Sequence, residues 1–351
     1  MEPRLNWIIF GAGAIGTYIG GSLIQHGQNV VFLEQPDAAS QLKECGLKLN
    51  ILGQEYRIMH PDVYSSLPEV LALAAFDVAV FALKSYDTQL TIESLSPYSS
   101  AMPPVLCLQN GVENESALVE ILGENKVIAG TVTSAVTRRD IGDILLERLR
   151  GIGVAAGHPL SLKIVQALSD ARLNAHLFSS PFAMKWSKML TNLFANASSA
   201  ILDLTPAEIL SHPGLYRVEV DQLHEAISVM QALQIRPVDL PGTPVRAFAW
   251  MVNNLPPSLS QPLISRIAGK GRGQKMPSFH IDLHSGRGKS EVDYLNGVVV
   301  RFGESSTIST PVNHWLNQTL LGLTHGIIPL DEYSHKPDKF IKDLYSGVGR
   351  D

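Results

Sequence analysis

Gly11-Ala12-Gly13-Ala14-Ile15-Gly16 lies between an apolar run, Leu5–Phe10, and an amphipathic stretch from about Ile15 to His26. A G-x-G-x-x-G turn that leaves a buried strand and opens a helix narrows the choice of fold more than any other segment of this chain. Gly11 allows the tight turn, Gly13 lets backbone approach a pyrophosphate, and Gly16 lets helix and strand pack closely. The pyrophosphate then rests on unpaired N–H groups at the positive end of the helix, with Ala12, Ala14 and Ile15 completing the loop. The motif by itself is weak, and a glycine-rich turn with no ligand is the alternative. Context favours a dinucleotide. A second strand, Gln28–Glu34, ends on an acid 18 residues after Gly16, close to where a carboxylate bonds the adenosine ribose hydroxyls. Glu34 would repel a 2′-phosphate, Gln35 is neutral, and no Arg or Lys follows until Lys43. The cofactor expected is NADH or NADPH, with the balance towards NADH.

Further continuous apolar runs, Phe76–Leu83 and Pro104–Leu108, alternate with helix-like stretches. Strands buried on both faces and separated by helices imply a doubly wound parallel sheet, an α/β fold. After about residue 178 the period changes. Lys185–Ile201, Tyr216–Leu233, Val292–Phe302 and Val312–Leu323 carry apolar residues at helical spacing, and no strand is evident. We therefore expect a dinucleotide-binding domain over 1–178, an all-helical substrate domain over 179–330, and an unassigned tail over 331–351. The proline-rich segments Arg236–Pro244 and Leu255–Pro262 read as loops between helices.

Composition excludes several classes. A chain of 351 residues with net charge −5 lacks the basic face that nucleic acid requires. Its one basic cluster, Lys270–Lys275, reads as a solvated loop. Only two cysteines occur, Cys45 and Cys107, so a disulfide framework is not indicated and a reducing cytoplasm fits. No uncharged apolar run approaches a membrane span.

Lys188, Asn192 and Asn196 recur at i, i+4, i+8. On one helix they form a single stripe about 12 Å long, enough to line a small-molecule site. Met189, Leu190, Leu193 and Phe194 border it, and two asparagines inside a helix cost stability unless they find partners. A solvent-facing polar side is the competing explanation. Nearer the C-terminus, Ser290 is placed to cap a helix whose first turn holds Glu291. The histidines of His280-x-Asp282-x-His284 have helical metal-ligand spacing but no third ligand in sequence, so no metal is expected. Arg138 and Arg139 read as a solvated turn.

Taken together, Gly11–Gly16, Ala82-Leu83-Lys84, Leu108–Val112, the Lys188/Asn192/Asn196 stripe, Ser278, Ser290–Gly297 and Thr310–Asn313 resemble the ketopantoate reductase (2-dehydropantoate 2-reductase) family in order and spacing. The resemblance implies a Rossmann domain followed by a helical domain like that of 6-phosphogluconate dehydrogenase. It implies hydride transfer to ketopantoate in pantothenate biosynthesis, with Lys188 as general acid and Glu291 binding the substrate hydroxyl. Asn192, Asn196 and Ser278 would hold the substrate, while Lys84 and Asn110 would line the cleft beside cofactor and substrate. It also points to a homodimer. A cationic donor suits the chemistry, because ketone reduction develops negative charge on oxygen. Two departures stand out: Glu34-Gln35 where family members often carry an arginine for the NADP phosphate, and one extra residue between Arg287 and Glu291. Another small 2-keto or hydroxy acid as substrate is the runner-up; a non-catalytic dinucleotide sensor is the reading from another class.

Overall fold

The computed structural model describes residues 4–269, 275–347 and 349; most of the basic cluster, Lys270–Gln274, lies outside them. The chain divides into two units, one comprising Met1–Lys185 with Leu240–Thr243, the other Trp186–Asp239 with Pro244–Asp351.

The first unit opens with β1 (Asn6–Phe10), α1 (Ala14–Gln25), β2 (Asn29–Leu33), α2 (Pro36–Cys45), β3 (Leu47–Ile51), β4 (Gln54–Ile58) and β5 (Asp62–Tyr64). It continues with α3 (Leu67–Leu73), β6 (Val78–Phe81), α4 (Thr88–Leu95), β7 (Val105–Cys107), α5 (Asn114–Leu122) and β8 (Val127–Val132). It closes with β9 (Ala135–Asp140), β10 (Asp143–Arg148), β11 (Ile152–Ala155), α6 (Ser161–Asp170) and β12 (Ala175–Phe178). The main sheet has the order β12-β11-β8-β7-β6-β1-β2-β5. All its neighbours are parallel except β8 and β11. Along β1, Trp7 and Ile9 enter one core while Ile8 and Phe10 enter the other. Both faces are therefore covered, as a parallel sheet requires.

A second sheet, β4-β3-β10-β9, was not anticipated. Its strands are covered on one face only: Leu47 and Leu49 of β3, and Ile144 and Leu146 of β10, are buried while the residues between them are only half-buried. Arg138 and Arg139 are exposed as expected, but on β9 rather than in a turn.

The chain passes into the second unit along α7 (Pro181–Leu193). There follow α8 (Ala197–Leu202), α9 (Pro206–Ser211), α10 (Pro213–Ala232), α11 (Val245–Asn254) and α12 (Pro257–Gly269). The last helices are α13 (Ser278–Leu283), α14 (Asn296–Ser305), α15 (Pro311–Thr324) and α16 (Pro337–Gly347). Among the described residues this unit holds no strand, and α10 runs through its middle against α9, α11, α12, α14, α15 and α16. The expected loop at Leu255–Pro262 is instead the start of α12. Proline is tolerated at a first helical position, and Pro262 is outweighed by the burial of Ile264 and by Ser260, whose hydroxyl accepts from Tyr216 at 2.8 Å. The unassigned tail forms α16, seated by buried Phe340 and Leu344; Trp315, Tyr333 and Phe340 meet edge to face. Among the described residues no helix is long and apolar enough to cross a membrane.

Candidate active site

Four strands of the first unit end in register. Phe10 pairs with Leu33 on one side and Phe81 on the other, and Phe81 pairs with Cys107. Gly11, Glu34, Lys84 and Asn110, which come just after these ends, therefore leave the sheet along one edge. The chain steps from β1 to β2 on one side while β6 occupies the other, so this edge holds the topological switch point where open α/β sheets take ligands. Gly11 has φ +85°, a left-handed conformation, and donates to the Leu33 carbonyl at 3.0 Å. A Cβ on Gly16 would lie 1.8 Å from the Gly11 carbonyl oxygen, so only glycine fits that contact. By contrast, a Cβ on Gly13 would meet nothing within 4 Å. The first turn of α1 carries no side-chain cap and no acid. This is an open cradle of backbone donors, and it fits the pyrophosphate of a dinucleotide. Glu34 closes over it: Oε1 accepts from the Ala12 N–H at 2.6 Å and Oε2 from the Gln35 N–H at 2.9 Å.

Behind this edge lies a buried polar network that the sequence did not reveal. The Asn110 carbonyl accepts from Asn114 Nδ2 at 2.6 Å and Ser85 Oγ at 3.0 Å, while Gln109 Nε2 donates to Thr88 Oγ1 at 2.7 Å. Lys185, only 5% exposed, donates from Nζ to the carbonyls of Gln109 (2.6 Å) and Gly130 (3.3 Å) and pairs with Glu115 at 2.7 Å. Burial, the largest single influence, opposes its charge, but the Glu115 carboxylate and Cys107 together outweigh it and hold the ammonium above the ordinary lysine range. Burial, reinforced by Glu115, pushes the Cys107 thiol up and leaves it inert. Lys185 therefore ties the first turns of α7 to the loop that carries Asn110.

Further along α7, Lys188, Thr191 and Asn192 are half-buried, whereas Trp186, Ser187, Met189, Leu190 and Leu193 are buried. The expected single stripe stops there. The helix ends at Leu193, and Ala195 turns the chain with φ +52°. Glu219, fully buried, accepts the Ala195 N–H at 2.6 Å and also bonds Ser198 and Gln222. Asn196 consequently stands just before the next helix, α8, without a side-chain cap bond to it, instead of continuing the ladder. It is 4% exposed; Nδ2 donates to the Asn192 carbonyl at 3.0 Å and to Ser278 Oγ at 3.4 Å. Its Oδ1 accepts from the Phe279 N–H at 3.1 Å. A second buried carboxylate, Glu225, accepts the N–H groups of Val312 and Asn313 at 2.8 and 2.9 Å and so caps α15.

Glu291 is 2% exposed. The expected helix start at Ser290 is also corrected. Ser290 Oγ accepts from the Val292 N–H at 3.2 Å, yet the next element is a short 3-10 turn over Val292–Tyr294, and α14 begins only at Asn296. Glu291 thus precedes the turn and is not part of a first helical turn.

The description "Ketopantoate reductase PanE/ApbA" matches residues 7–156, and "Ketopantoate reductase PanE/ApbA C terminal" matches residues 182–324. A protein of Halobacterium salinarum named 2-dehydropantoate 2-reductase is 26% identical over 318 residues, 87% of this chain and 94% of that one. Another of that name, from Archaeoglobus fulgidus, is 26% identical over 324 residues, covering 91% and 96%. Among solved structures, a PanE/ApbA family ketopantoate reductase from Ralstonia eutropha matches with a TM-score of 0.77 at 25% identity, over 92% of this chain and 99% of that one. A D-mandelate dehydrogenase bound to NADH and anilino(oxo)acetate shares the fold, with a TM-score of 0.72 at 22% identity and the same coverage. Motif order, sheet topology, helical second unit and both matching segments agree: the chain is an oxidoreductase of the ketopantoate reductase family.

Proposed function

We propose that the chain reduces 2-dehydropantoate, or a small 2-keto acid close to it, to the 2-hydroxy acid. The observation that carries this reading is the half-buried pair Lys188 and Asn192, one turn apart on a helix where Trp186, Ser187, Met189, Leu190 and Leu193 are buried. Bound on the Gly11–Gly16 cradle, a nicotinamide dinucleotide supplies the hydride, which adds to the carbonyl carbon. Lys188 donates the proton that the developing alkoxide takes up, and its positive charge stabilises that oxygen more in the transition state than in the ketone. Asn192 and Ser278 bind the carboxylate and hydroxyl of the substrate, and Glu291 accepts from the substrate hydroxyl. Lys84 and Asn110 orient cofactor and substrate from the strand ends. Asn196 acts through its neighbours, holding Ser278 and the start of α13 in place.

NADH is the favoured donor, because the Glu34 carboxylate stands at the cradle where a 2′-phosphate would bring like charge. The test is oxidation of NADH and NADPH with 2-dehydropantoate and a panel of other 2-keto acids, an aromatic one included. Turnover of 2-dehydropantoate with a higher kcat/KM for NADH is the expected result. A clear NADPH preference would remove Glu34 as the selecting group. Turnover of another keto acid alone would move the chain to a different substrate, and tight dinucleotide binding with no turnover would make it a sensor.

A further inference from the structure

Within the second unit, and outside the residues given roles above, three imidazoles gather about one carboxylate. Asp203 follows α8 directly and adopts a left-handed conformation, φ 53° and ψ 40°. His280, on α13, places Nε2 2.7 Å from Asp203 Oδ1. His284, one turn further along, caps α13, and its ring centroid lies 4.2 Å from that of His280. One ligand atom from each of Asp203, His280 and His284 falls within 4.8 Å of the others. His335 comes from the turn before α16, beyond the segment that matches the family's C-terminal part. It too is left-handed, φ 54°, and its N–H donates to the Leu202 carbonyl at 2.8 Å, which sets its Nε2 3.7 Å from Asp203 Oδ2.

We propose that Asp203, His280 and His284 form a binding site for one divalent transition-metal ion of the zinc class, with His335 orienting the carboxylate from its far side. An ion pair would need one imidazole, and here a second lies against the first, tilted by 41°, with no ring hydrogen bond of its own among the described residues. Two protonated imidazoles at that separation would repel, whereas two neutral ones can share a cation. Ligand atoms about 2.0–2.2 Å from a tetrahedral ion stand roughly 3.3–3.6 Å apart, so Asp203 and His280, now 2.7 Å apart, need open by only about 0.6–0.9 Å. Two imidazoles and a carboxylate suit Zn(II), Co(II) or Ni(II); Ca(II) and Mg(II) prefer oxygen sets, and both cysteines belong to the other unit. The site would fasten together the end of α8, the helix that begins with Ser278, and the turn leading to the C-terminal helix. Residues at positions 280 and 284 also reach it from the same short helix whose first residues bond Asn196, so α8 and α13 would be joined at both ends of α8.

The test is calorimetric titration of the untagged, chelator-stripped full chain with zinc chloride, alongside cobalt(II) titration followed by visible absorption. One equivalent should bind with a Kd of about 10 µM or tighter, and the melting temperature should rise with zinc. His284→Ala should keep the metal-free melting temperature, because that side chain is exposed, yet weaken zinc binding at least tenfold and abolish the cobalt spectrum. Asp203→Asn should weaken binding to a similar extent. No saturable zinc binding below about 100 µM in the natural chain, or equal binding by His284→Ala, would overturn the proposal.

Discussion

The two units hold their polar groups by opposite means. In the α/β unit the groups proposed to meet the ligand are backbone N–H donors at strand and helix ends, and glycine is what leaves them open. Its buried charge, Lys185 with Glu115, lies behind that edge and fixes loop to helix. In the helical unit the groups proposed to meet the ligand are side chains, and the buried carboxylates Glu219 and Glu225 accept from backbone N–H groups and from nearby side-chain donors, which shapes the chain around them. The first arrangement tolerates sequence change wherever the backbone path survives; the second depends on particular side chains that are given no ligand contact of their own.

The largest expected effect comes from splitting the buried pair. Lys185→Met leaves the largely covered Glu115 carboxylate without its partner and should cost about 3 kcal/mol of stability, while Lys185→Met with Glu115→Leu should recover most of it. Urea unfolding of the three proteins checks this, and a double variant no better than the single one would deny the coupling. Because the folded-state pKa of Lys185 is raised, the pair stabilises fully below the unfolded value of about 10.4 and loses its effect as pH rises through the higher folded value. The melting-temperature gap to Lys185→Met should therefore stay level from about pH 7 to 9 and narrow above about pH 10.5.

Next is chemistry without stability. Lys188→Ala should lower kcat by at least ~100-fold, equivalent to about 2.7 kcal/mol, with dinucleotide affinity and melting temperature near their starting values. Near-normal turnover would remove Lys188 from proton transfer and erase the division of labour between the units. The smallest effect is assigned to the helix break. Glu219→Gln presents an amide donor where Ala195, Ser198 and Gln222 all donate, and should cost about 1–3 kcal/mol. It should raise KM for the keto acid more than it lowers kcat, because what shifts is the placement of Asn192 and Ser278; an unchanged KM would make Glu219 a stability residue alone.

The same contrast decides what could be read from the sequence. Glycine spacing, continuous apolar runs and helical apolar spacing are local signals, and from them follow the strand–turn–helix at Gly11–Gly16, the main sheet and the helical second unit. The smaller sheet escaped because its strands, such as Leu47–Ile51, bury one face only and alternate over five residues. The break at Ala195 escaped for a deeper reason: alanine favours helix, and the group that turns the chain is Glu219, 24 residues later. Lys185 carried a faint signal, a lysine among apolar residues three positions before Lys188, but its partners Glu115, Gln109 and Gly130 are 55 or more residues away.

A helix running unbroken from Lys188 to Asn196 would be a ruler with three marks about 6 Å apart. The turn at Ala195 takes away the third mark, since the Asn196 amide faces the Asn192 carbonyl, Ser278 and Phe279. The remainder is a gauge two marks long. In the reaction proposed above, it registers the ligand's reacting oxygen and the group next to it, and it has no third mark to measure how far the rest of the molecule extends.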